Sequence, residues 1–339
     1  MTNLDAFIRG LPKAELHMHL EGSIEPQLML DLAARNGVKL RWNTARELQA
    51  AYNFTNLQSF LDLLYEGCRV LTHEEDFYDV TRAYLRRAHQ DGVIRAEMFI
   101  GPQSFTQRDV DIATLMNGVL RAMDDGARDH GMSVGLLISA HRHRSEAEAL
   151  QLLEQILPWS DRIIGIGMGG AEVGNPPSKF VNFFRACRDK GFRITIHAGE
   201  EGPASYVREA IELLGVDRID HGNACLGDPA LVRDLVERKT PLTVCPLSNL
   251  RLKVVPSLQQ HPLKAMMDAG LHVTINSDDP PYFDGYVSEN MIECQQALGL
   301  TANDIAGLAR NSFTAAFISS DEAARALARI DTYVANFRG

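Results

Sequence analysis

Four short runs place metal donors and acid–base groups at close spacing: His17-Met18-His19, His197-Ala198-Gly199-Glu200, Asp220-His221-Gly222 and Ser277-Asp278-Asp279-Pro280. Zinc takes imidazole nitrogens and a carboxylate oxygen, and a catalytic zinc keeps one position for water. Three histidines with Asp278 make a consistent ligand set for such an ion. Each run is a weak signal alone. A lone His-x-His is usually a pair of ordinary polar residues, and the chain has a second one, His141-Arg142-His143. An Asp-Asp pair before proline is usually a turn. Their weight comes from where they stand, because each of the four runs closes an apolar stretch.

Eight short apolar, often β-branched stretches recur: 14–20, 93–100, 133–139, 162–168, 192–198, 216–221, 241–247 and 271–277. Amphipathic helical stretches separate most of them, among them ATLMNGVLRAMDDGARDH, SKFVNFFRACRDK and ALVRDLVERK. Alternating strands and helices require parallel strands joined by right-handed crossovers. Eight such units predict a (β/α)8 barrel of the TIM type, whose active site lies at the C-terminal ends of the strands. Period-two spacing turns His17 and His19 to the same side of the first strand, into the barrel. All four runs then converge on one rim.

The connection after the first strand is unusually long. Positions 22–92 hold several helical patterns, including EPQLMLDLAARNG and FTNLQSFLDLLYEG, and predict a helical lid at the C-terminal face. Phe54, Leu57 and Phe60 are its candidate apolar cover. No Gly/Pro/Ser-rich linker divides positions 1–339, so one domain is expected. A doubly wound open sheet is the rival fold, but no G-x-G-x-x-G phosphate turn is present.

Bulk composition narrows the function. The formal net charge of −10 repels phosphate backbones, so a nucleic-acid partner is not expected. No apolar run has the length of a membrane span, and the first ten residues do not read as a signal peptide. The five cysteines are scattered and form no C-x-x-C, as in a reduced cytoplasmic protein. Oligomeric state is left open by these features.

The motifs ELHMHLEGS, ITIHAGEEG, RIDHGN, VCPLSN and INSDDP resemble, in order and spacing, the adenosine/adenine deaminase branch of the amidohydrolase superfamily. The resemblance spans nearly the whole chain. It implies a distorted (β/α)8 barrel with one Zn2+ per chain, bound by His17, His19, His197 and Asp278. It also implies Glu200 and His221 as catalytic groups and Asp279 as a purine contact. The fourth strand contains no lysine that a two-metal subclass would carboxylate, which favours one ion.

The implied reaction is hydrolytic removal of the 6-amino group of a purine base. Zinc makes water nucleophilic near neutral pH, and His221 and Asp278 would aim it at C6. Glu200 would give N1 a proton, and Asp279 would contact N7. Gly170 and its neighbours would leave room for the ring edge. Family members acting on nucleosides tend to carry HLDG where this chain has His19-Leu20-Glu21-Gly22, and the longer Glu21 would reach into the sugar space. HLEGS is similar to the free-base adenine deaminases, which read LDSSE after the fourth strand. Here that run is Met168-Gly169-Gly170-Ala171-Glu172, so a roomier pocket is expected, one that accepts N6-alkyl adenines. Two alternatives are a deaminase of adenosine or another 6-aminopurine nucleoside, and a non-catalytic barrel with a structural zinc. Structural zinc normally has four protein ligands and no spare acid beside it.

Overall fold

All eight apolar stretches become parallel strands: β1 Lys13–His19, β2 Val93–Ile100, β3 Ser133–His141, β4 Ile163–Gly169, β5 Arg193–Ala198, β6 Arg218–His221, β7 Leu242–Val244 and β8 Val273–Ile275. The computed structural model describes residues 3–338. The strands pair in sequence order, β1 to β8, as a (β/α)8 barrel requires.

The barrel is distorted where β8 meets β1. There the main chain pairs only at the rim, through His19 N–H to Asp278 O at 2.9 Å and Asp278 N–H to His17 O at 3.0 Å. Below the rim, side chains take over the ladder. Asn276 Oδ1 accepts from Leu16 N–H at 2.9 Å, Ser312 Oγ accepts from Ala14 N–H at 3.0 Å, and Glu15 Oε1 accepts from Ser277 N–H at 2.8 Å. Buried amides are thereby satisfied without strand pairing.

The last two strands are short. Of the apolar stretch 271–277, β8 covers only Val273–Ile275; Asn276 N–H still donates to Val244 O at 2.9 Å, and its side chain serves Leu16 on the other edge. Asp278 therefore lies three residues past β8. Likewise 241–247 pairs only over Leu242–Val244, since Pro246 opens a helix, Pro246–Arg251. Proline lacks an N–H and fits the first turn of a helix, where none is needed.

The long connection after β1 contains helices Pro26–Arg35, Ala45–Ala50, Leu57–Gly67 and Glu74–Gln90. The last packs against β2 and against helix Ile112–His130, so it is the ordinary crossover helix. The helices additional to the crossover helix thus lie within 26–67. Helix Leu57–Gly67 opens on a capping box in which Asn56 Oδ1 accepts from Ser59 N–H. Its Leu57, Phe60, Leu61 and Leu64 form one buried apolar stripe. One hydrophobic core runs from Phe7 to Ile330, and among the described residues no helix is long and apolar enough to cross a membrane.

Candidate active site

The rim gathers His17 and His19 from the end of β1, His197 from β5, His221 from β6 and Asp278 from the loop after β8. Phe99 of β2 floors the site, with its ring 5.7, 5.2 and 6.0 Å from those of His17, His19 and His197. His221 and Asp278 both have left-handed backbones, at φ 66° and 64°. This conformation is uncommon outside glycine and here aims two side chains into the pocket.

His17 Nε2 and His197 Nε2 lie 3.0 Å apart, and His19 Nε2 is 3.2 Å from His197 Nε2. Asp278 Oδ1 is 3.4 Å from His17 Nε2 and 3.3 Å from His19 Nε2. The groups behind the rings fix the tautomers. His17 Nδ1 donates to Thr243 O at 3.1 Å, and His197 Nδ1 faces Asp220 Oδ2 at 3.4 Å. Both rings therefore carry lone pairs on Nε2, and two lone pairs face each other at 3.0 Å. That contact is repulsive until a cation lies between them. The oriented rings and the carboxylate thus fit a divalent metal ion held from behind by Thr243 and Asp220. His221 joins His17, His197 and Asp278 in one cluster of donor atoms, and His19 groups with Asp278 and Asp279, so both rings reach the site; His221 Nε2 stands 3.9 Å from Asp278 and His19 Nε2 3.3 Å.

Asp220 was part of a sequence motif, but only the structure shows what it does. Its Oδ1 accepts from Thr195 Oγ1 at 2.8 Å and Thr243 Oγ1 at 2.9 Å. Burial alone would raise this carboxyl. His197, 3.4 Å away, and the neighbouring His17 reverse that and hold it well below the usual carboxylate range.

Glu200 is buried, with Oε2 3.5 Å from His221 Nε2. Burial, reinforced by Asp278, pushes its carboxyl well above the ordinary range, as a proton donor requires. Burial and the adjacent Asp278 push Asp279 up in the same way. The Asp279 carboxyl packs against Gly22, where a Cβ would lie 1.6 Å from Oδ1; only glycine permits that approach. Glu21 Oε1 accepts from Gly101 N–H at 2.8 Å, while its buried Oε2 has no partner. Burial raises this carboxyl too.

Gly169 and Gly170 both line the pocket, for different reasons. A Cβ on Gly169 would meet the His197 ring at 3.5 Å, an ordinary contact, so the missing side chain leaves usable space. Gly170 has φ +91°, which demands glycine, so its identity follows from the backbone turn. Leu57, Phe60, Leu61, Leu64 and Leu252 form the apolar wall. Phe54 lies one layer back, packed on Phe60 and Phe283, and does not line the pocket.

Two supporting residues escaped the sequence analysis. Glu172 is buried, and its carboxylate accepts four successive backbone N–H groups, from Gly199, Glu200, Glu201 and Gly202, at 2.7–3.0 Å. Such a run of amides forms an anion-binding nest, and here it fixes the turn carrying Glu200. Arg142 is wholly buried and donates to His197 O and Asn175 O, bracing the same turn. The only sequence signal was the Gly-Glu-Glu-Gly run, whose consecutive amides need an acceptor. The neighbouring His141 lines the pocket wall.

A parallel eight-stranded barrel whose rim gathers four histidines and an aspartate, with a buried acid beside them, defines a metal-dependent hydrolase. The family model described as adenosine deaminase matches residues 12–333, and the chain belongs to that family. It is 67% identical to an adenine deaminase of Rhodopseudomonas palustris, over 99% of this chain and 98% of that one. The crystal structure of an adenine deaminase from Arthrobacter aurescens superposes with TM-score 0.94 at 46% identity, covering 96% of this chain and 99% of that one. An amidohydrolase from Burkholderia ambifaria, solved with bound Zn, superposes with TM-score 0.91 at 29% identity, covering 99% and 95%.

Proposed function

We propose that this chain converts adenine to hypoxanthine and ammonia, with one zinc ion per chain held by His17, His19, His197 and Asp278. The observation that carries the reading is the 3.0 Å approach of His17 Nε2 to His197 Nε2, beside a buried carboxyl that burial pushes above its ordinary range. A bound zinc ion supplies the Lewis acidity that makes water nucleophilic near neutral pH.

The chain's own groups do the rest. Asp278, through the oxygen not turned to the histidines, and His221 orient the attacking water. Glu200, protonated before reaction, gives its proton to N1 as electrons move onto the ring, then helps carry one to the leaving amine. Asp279, raised by burial and Asp278, holds a proton that it can donate to N7. Leu57, Phe60, Leu61 and Leu64 exclude bulk water from above.

Glu21 sets the preference for the free base. Its unpartnered Oε2 would accept a hydrogen bond from N–H on the five-membered ring, and a ribose there would leave a buried carboxyl unsatisfied. The open position at Gly169 and the leucine wall favour a wider specificity that includes N6-alkyl adenines, with an alkylamine leaving. The test is product formation from adenine, adenosine and N6-isopentenyladenine. Adenine should exceed adenosine by several decades in kcat/KM, since an unpaired buried polar group typically costs about 10⁴–10⁵ in specificity. Comparable efficiency on adenine and adenosine would refute the role of Glu21. Absence of hypoxanthine from isopentenyladenine would remove the wider specificity.

A further inference from the structure

His221 is the rim histidine outside the proposed ligand set, and a buried chain of hydrogen bonds runs away from it. The chain begins at an unambiguous donor, a backbone amide: Leu263 N–H donates to His261 Nδ1 at 3.1 Å. His261 Nδ1 is therefore an acceptor, and the proton of its neutral ring is on Nε2. Burial drives His261 down to about 4, so the ring is neutral at ordinary pH. Its Nε2–H meets Asn249 Oδ1 at 3.1 Å, and Asn223 Nδ2 donates to the same oxygen at 2.7 Å. With its oxygen turned to those two donors, Asn249 must turn its amide nitrogen the other way. That nitrogen faces His221 Nδ1 at 3.4 Å. All four side chains are buried, so no bulk water competes for these atoms.

Resting on the deaminase reading above, we propose that Asn249 and His261 are positioning residues that lock His221 as the Nε2–H tautomer. The relay makes Nδ1 an acceptor, so the ring's single proton projects into the pocket. There His221 Nε2 has no hydrogen-bond partner, and it stands 3.5 Å from Glu200 Oε2 and 3.9 Å from Asp278 Oδ2. In this form the one Nε2–H of His221 donates its hydrogen bond to the attacking water, beside Glu200. It cannot ligate the metal through Nε2, which leaves that place to His19. With the opposite tautomer, a lone pair would face two carboxyl groups and the metal. His221 could then take up the fourth ligand position, and the water would lose its donor.

The test uses the zinc-loaded enzyme with 15N-labelled histidine. The spectrum should show His221 protonated at Nε2 and bare at Nδ1, and His261 likewise. Asn249→Asp keeps the size of the residue but replaces the donor with a second acceptor, so His221 should shift its proton to Nδ1. Its kcat should then fall about 10²–10⁴-fold, the scale of losing a correctly protonated histidine, with KM for adenine, zinc content and melting temperature little changed. His261→Gln retains an N–H donor and should recover most of the activity that His261→Leu loses. A wild-type His221 carrying its proton on Nδ1 overturns the proposal. So does Asn249→Asp with normal kcat, or equal activity in the two His261 variants. The tautomer reading needs no substrate, so it stands or falls apart from the proposed reaction.

Discussion

The barrel holds two charged clusters in the same buried interior, and they are built in opposite ways. Near the bottom, Glu97 lies between Arg95, at 3.0 and 3.2 Å, and Arg218, at 2.7 Å, and also accepts Phe317 N–H at 2.6 Å. Arg218 donates further to Leu16 O and Ala315 O and stacks on Phe317. Burial would raise Glu97, but the two arginines reverse this and hold it below its usual value. At the rim the buried Arg142 lies behind the turn and does not offset the burial of the acids. Glu200, Asp279 and Glu21 are all pushed up, and histidine lone pairs face one another. The lower cluster is electrostatically complete and serves the fold. The rim is complete only with a cation and a substrate, the mark of a functional site.

The sharpest way to separate the clusters is to remove one carboxyl from each. Glu200→Gln keeps size and hydrogen bonding but has no proton to give. Turnover of adenine should fall by about 10²–10⁴-fold, with metal content and melting temperature unchanged. Near-normal turnover would take Glu200 out of the mechanism. Glu97→Ala should do the reverse. Two buried guanidinium groups lose their partner, which costs about 3–5 kcal/mol of folding stability, measured by urea unfolding, while the folded fraction keeps its turnover number.

The pH dependence distinguishes the clusters in sign. The Glu97 carboxyl is depressed in the fold, so its stabilisation is present above the unfolded value of about 4.3 and is lost as pH falls through the lower folded value. Unfolding free energies measured over that acid range should fall in the wild type and lose part of that slope in Glu97→Gln. An identical slope in both would mean that other groups carry the acid sensitivity.

The mildest expected effect falls on the group behind the rim. Asp220→Asn keeps the shape but weakens the hold on His197. Metal affinity should drop about 10–100-fold, read by competition with a chelator. An unchanged affinity would mean that Asp220 serves packing alone.

The rim was largely legible before the fold was known. His17, His19, His197 and Asp278 sit at or just beyond strand ends, and period-two spacing with strand–helix alternation is enough to bring such positions to one face. Glu200 follows from its place three residues beyond His197. What stayed hidden depends on contacts distant in sequence. Glu172 meets the turn at 199–202, Arg142 reaches His197 O, and Asn276 stands in for a strand partner of Leu16. Local pattern carries no information about such pairings. It also reaches past the ends of the seventh and eighth strands, because an apolar run does not reveal where pairing stops, as at the proline that opens helix Pro246–Arg251. A crossover helix and an inserted helix have the same amphipathic period, and only packing distinguishes Glu74–Gln90 from Leu57–Gly67.

That the rim is unfinished without a cation is tested most directly by titrating the metal-free protein with Zn2+. Bound zinc and hypoxanthine release from adenine are followed together. Both should rise in step and saturate at one ion per chain. Full turnover by the metal-free protein, or saturation only at two ions, would contradict the account.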